Sequence, residues 1–191
     1  MSQINTVAWI VGCPQSGKTT LARVLAARRR AERGVPVLVL DSALVHNFTD
    51  VPLHTIEEAR HALWREPRGS CRIAPSSLDD VDRMCRAVQA GKDCIVLVDE
   101  AHFWLSAQSG VSSELTKLMR ATQHARVDLY LTTQHLTGDV PQTALSCTSD
   151  LYVFRCTAPR VLQTLEREFS IPRETAGSLP QWSYIERRIG F

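Results

Sequence analysis

An α/β fold, with a mostly parallel central sheet and helices on both faces, is what this 191-residue sequence predicts. Three observations carry that expectation. Unbroken apolar runs, 35–40 and 94–98, fit parallel strands buried on both faces. Segments with helical spacing of apolar residues alternate with them. The third is Gly12-Cys13-Pro14-Gln15-Ser16-Gly17-Lys18-Thr19, which fits G-x-x-x-x-G-K-[ST]. It directly follows the apolar run 7–11 and directly precedes the helical run 20–27. That strand–loop–helix context turns the pattern into a phosphate-binding loop.

The chemistry of the loop is local. Gly12 and Gly17 let the backbone fold so that successive N–H groups point inward, an anion nest at a helix N-terminus. Residues 12–20, from Gly12 to Thr20, are therefore the candidate nucleotide-binding set. Lys18 can reach the β- and γ-phosphates, and the Thr19 hydroxyl can bind Mg²⁺. ATP and Mg²⁺ are the expected ligands.

Composition sets outer bounds. Length and 44% hydrophobic residues suit one domain spanning 1–191, with a core of about 6–156 and an extension over 157–191. No apolar run approaches the ~20 residues that span a bilayer, so a soluble, cytoplasmic chain is expected. The six cysteines show no C-x-x-C pair and no metal-ligand spacing, which predicts reduced thiols. Cys13 lies inside the loop, where its oxidation could block nucleotide. Net charge is only +2, but 19 of the cations are Arg and three are Lys. Arginine suits bidentate phosphate contacts, which permits a nucleic-acid partner without establishing one.

Taken in order, the run 7–11 is strand 1, placed centrally. Helix 1 spans Lys18 to Arg33, stopped by Gly34 and Pro36, with Leu21, Val24 and Leu25 as its core face. Arg28, Arg29, Arg30 and Arg33 load its last turn, as dipole partners or as nucleic-acid contacts. Residues 35–40 form strand 2, closed by Asp41. A helix is expected over 54–64, a turn at Pro67-Arg68-Gly69-Ser70, and a short strand over 71–74. The next helix runs from Leu78 to Ala90, with Asp79, Asp80 and Asp82 in its first turn.

Strand 4 is Cys94 to Glu100. Four apolar residues followed by Asp99-Glu100 form a second nucleotide signature, the Walker B strand. Asp99 would hold Mg²⁺ directly or through water, and Glu100 would polarise an attacking water. His102-Phe103-Trp104-Leu105 covers a sheet edge or touches a partner, then a polar loop reaches Gly110. A helix over 111–125 turns Leu115, Leu118 and Met119 inward and leaves Arg120 exposed. Strand 5, Val127 to Thr133, is followed by Gln134. Strand C-terminal ends line the ligand crevice of a parallel sheet, so Thr133 and Gln134 should face the γ-phosphate beside Glu100. A strand over 150–156, a helix over 159–169 and a last strand over 182–188 complete the chain.

The ordered set GCPQSGKT, CIVLVDEA and VDLYLTTQH resembles the FtsK–HerA group of P-loop ATPases over about residues 6–156. The resemblance implies a RecA-like P-loop NTPase fold and a homo-oligomeric ring, expected as a hexamer. It implies that Gln134 senses the γ-phosphate. The run Gln123-His124-Ala125-Arg126-Val127-Asp128 is similar to an Arg-His-x-x-x-Asp run in that group, with Gln123 where an arginine would stand. Arg120 and Arg126 are the substitutes that could act on a neighbour's γ-phosphate.

FtsK-like and Zot-like members usually carry a membrane segment and HerA-like ones an extra barrel. A bare core of this length is most similar to the genome-packaging ATPases of tailless membrane-containing viruses. That implies a double-stranded DNA translocase of host cytoplasm or virion, with a membrane or capsid-vertex protein as a further partner. A Zot-like assembly ATPase that moves no DNA, and a small-molecule P-loop kinase, are the other readings.

Overall fold

The computed structural model describes residues 5–42, 48, 50–65, 69–91, 93–108, 110–137 and 140–189, without the side chains of Trp64 and Gln123. The expected turn residues Pro67 and Arg68 and the side chain at Gln123 lie outside the described residues. Nine strands and seven α-helices are described: β1 (Val7–Val11), α1 (Lys18–Arg33), β2 (Val37–Asp41), α2 (Ile56–Arg65), β3 (Ser70–Ile73), α3 (Leu78–Gly91), β4 (Cys94–Asp99), β5 (Leu105–Ser106), β6 (Gly110–Val111), α4 (Ser113–Ala125), β7 (Val127–Thr133), α5 (Gln142–Leu145), β8 (Asp150–Phe154), α6 (Pro159–Phe169), α7 (Arg173–Gly177) and β9 (Tyr184–Arg188). No helix among the described residues is long and apolar enough to cross a membrane.

Seven strands form one sheet in the order β3-β2-β4-β7-β1-β8-β9. Six are parallel, and β9 returns antiparallel to β8. β1 is interior, but the middle place belongs to β7, so the expectation of a central first strand is corrected. Strand order is set by crossovers that local sequence does not encode. All parallel strands end at one edge, which carries the phosphate-binding loop, Asp99 and Thr133.

Strand side chains alternate between two cores. Val7, Trp9 and Val11 join Val96, Val98, Leu129 and Leu131 on the face packed by α2 to α7. Ala8, Ile10, Val39, Leu97 and Tyr130 join Ala22 and Ala26 of α1 on the other. The second face has α1 as its helix among the described residues, and alanines let that helix sit close to the sheet. This corrects the expected core face of α1: Ala22 and Ala26 are buried, Leu21 and Leu25 pack partly, and Val24 is 58% exposed.

Element ends are explained by local chemistry. Gly34 caps α1 with φ 65°, a left-handed turn that glycine adopts without strain. Ser112 accepts the Leu115 N–H and starts α4, while Val111, expected to open that helix, pairs instead with Leu105 in a two-stranded hairpin. Asp82 does not serve its own helix. Its carboxylate accepts from the Ser112 hydroxyl and the Glu114 N–H, capping α4 instead.

The arginines ending α1 are not simple dipole partners. Asp128, fully buried in β7, accepts from Arg29 Nε at 2.9 Å, from Arg33 Nη1, and from the Thr6 N–H at 2.9 Å. Arg33 also donates to Asp93 Oδ1 at 3.0 Å and to the Arg126 carbonyl at 2.7 Å. The Asp128 contact holds the Arg29 guanidinium above its ordinary pKa, against the opposing effect of burial. Removing one partner of such a cluster leaves buried charge uncompensated. Asp128→Ala is expected to lose roughly 3–5 kcal/mol of stability, read as a lower urea midpoint. A shift under about 1 kcal/mol, the size of an exposed pair, would mean that the cluster is not structural.

Candidate nucleotide site

The phosphate-binding loop is folded by contacts that only its residue types permit. The Gly12 N–H donates to the Thr133 carbonyl at 3.2 Å and the Cys13 N–H to the Arg155 carbonyl at 3.0 Å, so the loop lies across the ends of β7 and β8. A Cβ at Gly12 would fall 2.6 Å from Phe154 Cβ and 2.7 Å from Ser16 Oγ. Gly17 has φ 103° at the start of α1, a backbone that disfavours any side chain. The geometry presents α1's first N–H groups at the sheet edge.

Within the loop, Lys18 is buried and its Nζ donates to the Cys13 carbonyl at 2.9 Å. Burial lowers its pKa, while the charges of Glu100 and Asp99 partly restore it. Ser16 Oγ is buried without a hydrogen-bond partner among the described residues. An orphaned hydroxyl there fits a phosphate oxygen.

Asp99 stands at the end of β4 opposite Thr19. Its Oδ1 accepts from Thr19 Oγ1 at 3.2 Å and from Thr132 Oγ1 at 2.7 Å. The Thr132 hydroxyl also accepts the Glu100 N–H at 3.0 Å, tying β4 to β7. Burial pushes the Asp99 carboxyl up, the nearby Glu100 and Asp41 charges add to that, and the two threonine hydroxyls oppose it. No cluster of three or more His, Cys, Asp or Glu that could hold a metal occurs among the described residues. A hydroxyl beside one carboxylate is a donor set that suits Mg²⁺ sharing phosphate oxygens and water.

Glu100 and Gln134 meet as expected. Gln134 Nε2 donates to Glu100 Oε1 at 2.6 Å and the Gln134 N–H to Oε2 at 3.3 Å. Burial pushes the Glu100 carboxyl up, but hydrogen bonds from His102 and Gln134 and the Lys18 charge outweigh it, holding Glu100 below the usual range. It is therefore an ionised acceptor at neutral pH. Its backbone is left-handed, φ 50° and ψ 53°, a strained conformation for glutamate.

Thr133 corrects the sequence expectation in part. Its hydroxyl lies 3.3 Å from His102 Nδ1 and accepts the His135 N–H at 2.9 Å, so it serves the histidines. Thr132, one residue earlier, is the one on Asp99. His102 was expected to cover a sheet edge or touch a partner, yet its Nδ1 lies 3.3 Å from Glu100 Oε2. Trp104 and Leu105 are buried and Phe103 is exposed. Trp104 donates to Ser42 Oγ, and that hydroxyl donates to the Asp99 carbonyl at 2.7 Å. The fully buried Asp41 pairs in register with Asp99. The tandem of acidic strand ends, Asp41 and Asp99, was the available signal for it.

Arg120 and Arg126 lie at the opposite edge. Arg126 caps α4 and its Nε lies 2.9 Å from Asp93 Oδ1; Arg120 is exposed on α4. The seven residues of β7, about 20 Å at strand rise, separate Arg126 from Gln134. All six cysteines are free, and burial raises the Cys71 and Cys156 thiols to about 12, leaving them protonated.

A glycine-built anion loop, a hydroxyl–carboxylate pair and a second, ionised carboxylate define a P-loop nucleoside triphosphatase. The chain belongs to the AAA domain family, which it matches over residues 5–137, and it is an ATP hydrolase. No curated protein matches it in sequence. Among solved structures it is similar to B204, the genome packaging NTPase of Sulfolobus turreted icosahedral virus 2. In complex with AMPPCP that protein superposes with TM-score 0.82 at 16% identity, over 96% of this chain and 92% of that one. Its complex with ATP-gammaS gives 0.81 over the same shares, also at 16%. Thermomonospora curvata EccC (ATPases 2 and 3) gives 0.56 at 11% identity, over 88% of this chain and 32% of that one. At these identities the likeness is one of fold.

The raised Asp99 pKa has a sign that can be checked. A folded pKa above the unfolded value means that ionised Asp99 opposes folding at neutral pH and the opposition fades as pH falls. Asp99→Asn is expected to raise the melting temperature of nucleotide-free, metal-free protein by about 2–4 °C per kcal/mol relieved. The gap to the parent should widen from pH 4 to pH 8. A lower melting temperature for the variant at pH 8 would contradict the assignment.

Proposed function

We propose that the chain is a Mg²⁺-dependent ATPase motor that moves double-stranded DNA, as a genome-packaging ATPase of the FtsK–HerA type, working as a homo-oligomeric ring. The observation that carries this reading is the 2.6 Å hydrogen bond from Gln134 to Glu100. It joins the glutamine implied by the resemblance to the carboxylate that would activate water. The near-complete mutual overlap with the fold of B204 supports the packaging role. Residues 1–191 are taken as one domain, since α6 and α7 share the core and β9 extends the sheet.

In the proposed mechanism the loop amides and Ser16 Oγ bind the triphosphate, and Lys18 exchanges the Cys13 carbonyl for phosphate oxygens. Mg²⁺, held by Thr19 and Asp99, would neutralise charge on the β- and γ-phosphates. Glu100 orients a water whose oxygen attacks the γ-phosphorus. The water's proton passes to Glu100 as the bond to ADP breaks. Gln134, bonded to the same carboxylate, moves with the loss of the γ-phosphate and relays it along β7. Arg120 or Arg126, too far from their own site, would serve a neighbouring subunit.

A hydrolysis assay separates these roles. Glu100→Gln should bind ATP like the parent and turn over roughly 10²–10⁴-fold slower, the usual worth of a general base. Lys18→Ala should weaken both binding and turnover, and alanine at the acting arginine should slow turnover with ATP affinity kept. Parent-like hydrolysis by Glu100→Gln would overturn the water assignment.

The DNA reading has its own test. Duplex binding by the ATP-bound protein should be insensitive to sequence and fall steeply with salt, because phosphate contacts release counterions. Titrations of unrelated duplexes at two salt concentrations read this out. No binding, or binding indifferent to salt, would favour an assembly ATPase that moves no DNA.

A further inference from the structure

Beside the phosphate loop stands an aromatic surface to which the hydrolytic chemistry assigns no task. Trp182, just before β9, is 63% exposed. Its backbone has φ 66°, a left-handed conformation that is an outlier for a bulky residue. Such strain persists where surrounding structure imposes it, and it marks sites where a side chain must be presented.

What it is presented to is specific. Indole atoms Cε3 and Cζ3 lie 3.1 and 3.5 Å from where a Cβ on Gly17 would stand, and Phe154 Cε1 lies 3.4 Å from that point. Gly17 is the residue from which α1 departs, so the indole borders the end of the phosphate nest. Tyr184, opposite Phe154 in the β8–β9 pairing, adds a half-exposed ring 5.3 Å from Phe154. The antiparallel return of β9 thus brings two aromatic residues to the loop edge from far along the sequence.

We infer that Trp182 is the nucleobase platform of this site, stacking its indole on the purine of a nucleoside triphosphate whose phosphates occupy the loop. The inference rests on the phosphate-site reading above and adds the element that holds the other end of the ligand. A triphosphate seated at the N-terminus of α1 leaves its base to lie beside the loop, and Trp182 is the large exposed π-face bordering Gly17. Stacking uses the face of the base rather than its edges, so every base has the required surface. Trp182 therefore favours purines for their larger area without separating adenine from guanine.

The test compares equilibrium binding of ATP, GTP and inorganic tripolyphosphate, each with Mg²⁺, to the full chain and to Trp182→Ala and Trp182→Phe. Stacking on an aromatic side chain is worth roughly 5- to 100-fold in affinity. Trp182→Ala should lose that much for ATP and GTP while tripolyphosphate binds as in the parent, which also shows that the variant is folded. Trp182→Phe should recover most of the loss. An unchanged ATP affinity in Trp182→Ala, or an equal loss for tripolyphosphate, would overturn the platform and leave the phosphate site standing. A parent protein that binds neither ATP nor tripolyphosphate would overturn the phosphate-site reading and this inference together.

Discussion

The position of α1 depends on one buried carboxylate. Asp128 sits at zero exposure in the middle strand of the sheet and receives two guanidinium groups from the last turns of α1. The apolar side chains fully buried on this helix are small, Ala22 and Ala26. They allow close approach but supply little apolar area to fix the helix along its axis. The charge cluster supplies that fixation, because sliding by one turn would strand Asp128 without its partners. The other end of the same helix is the phosphate loop, and the other end of the same strand is Thr132-Thr133-Gln134. One ion cluster at the far edge thus sets the register between the phosphate loop and the Thr132-Thr133-Gln134 strand end.

At the near edge the work is done by hydroxyls. Thr132 bridges Asp99 and the Glu100 backbone, Thr19 reaches the same Asp99 oxygen, and Ser42 holds the Asp99 carbonyl. Each is short and stiff, so the two carboxylates are held apart in different environments. Asp99, on the threonines, is pushed toward neutrality by burial; Glu100, between His102 and Gln134, stays ionised. Two adjacent acids thereby acquire different chemistry, one suited to a cation and one to a water.

The parts legible in the sequence were those encoded locally. The phosphate loop, the Gly34 stop, the span of β7 and the meeting of Glu100 with Gln134 follow from short motifs and from the rule that parallel strands end together. The parts that were not legible involve phase or distance. In a strand buried on both faces apolar residues do not alternate, so nothing marked Thr132 rather than Thr133 as the partner of Asp99. In α1 the more hydrophobic Val24 drew the expected core face to the wrong side, because close helix–sheet packing prefers alanine there. Arg33 meets Asp128 across 95 residues of sequence, and no window reveals such a pair. His102 lies in a 3₁₀ turn after a left-handed Glu100, a backbone choice that glutamate does not advertise.

The last strand has a consequence for how copies of this chain can meet. β9 closes the sheet with Tyr184-Ile185-Glu186-Arg187-Arg188, and its charged side chains are exposed. An open strand edge is a template for another strand, and charged residues on it resist that pairing. Strand-to-strand docking of two copies here would confine Glu186, Arg187 and Arg188 within a ladder, at the cost of side-chain freedom and hydration. A contact between copies on this side of the molecule is therefore one of side-chain surfaces, and the sheet ends at β9.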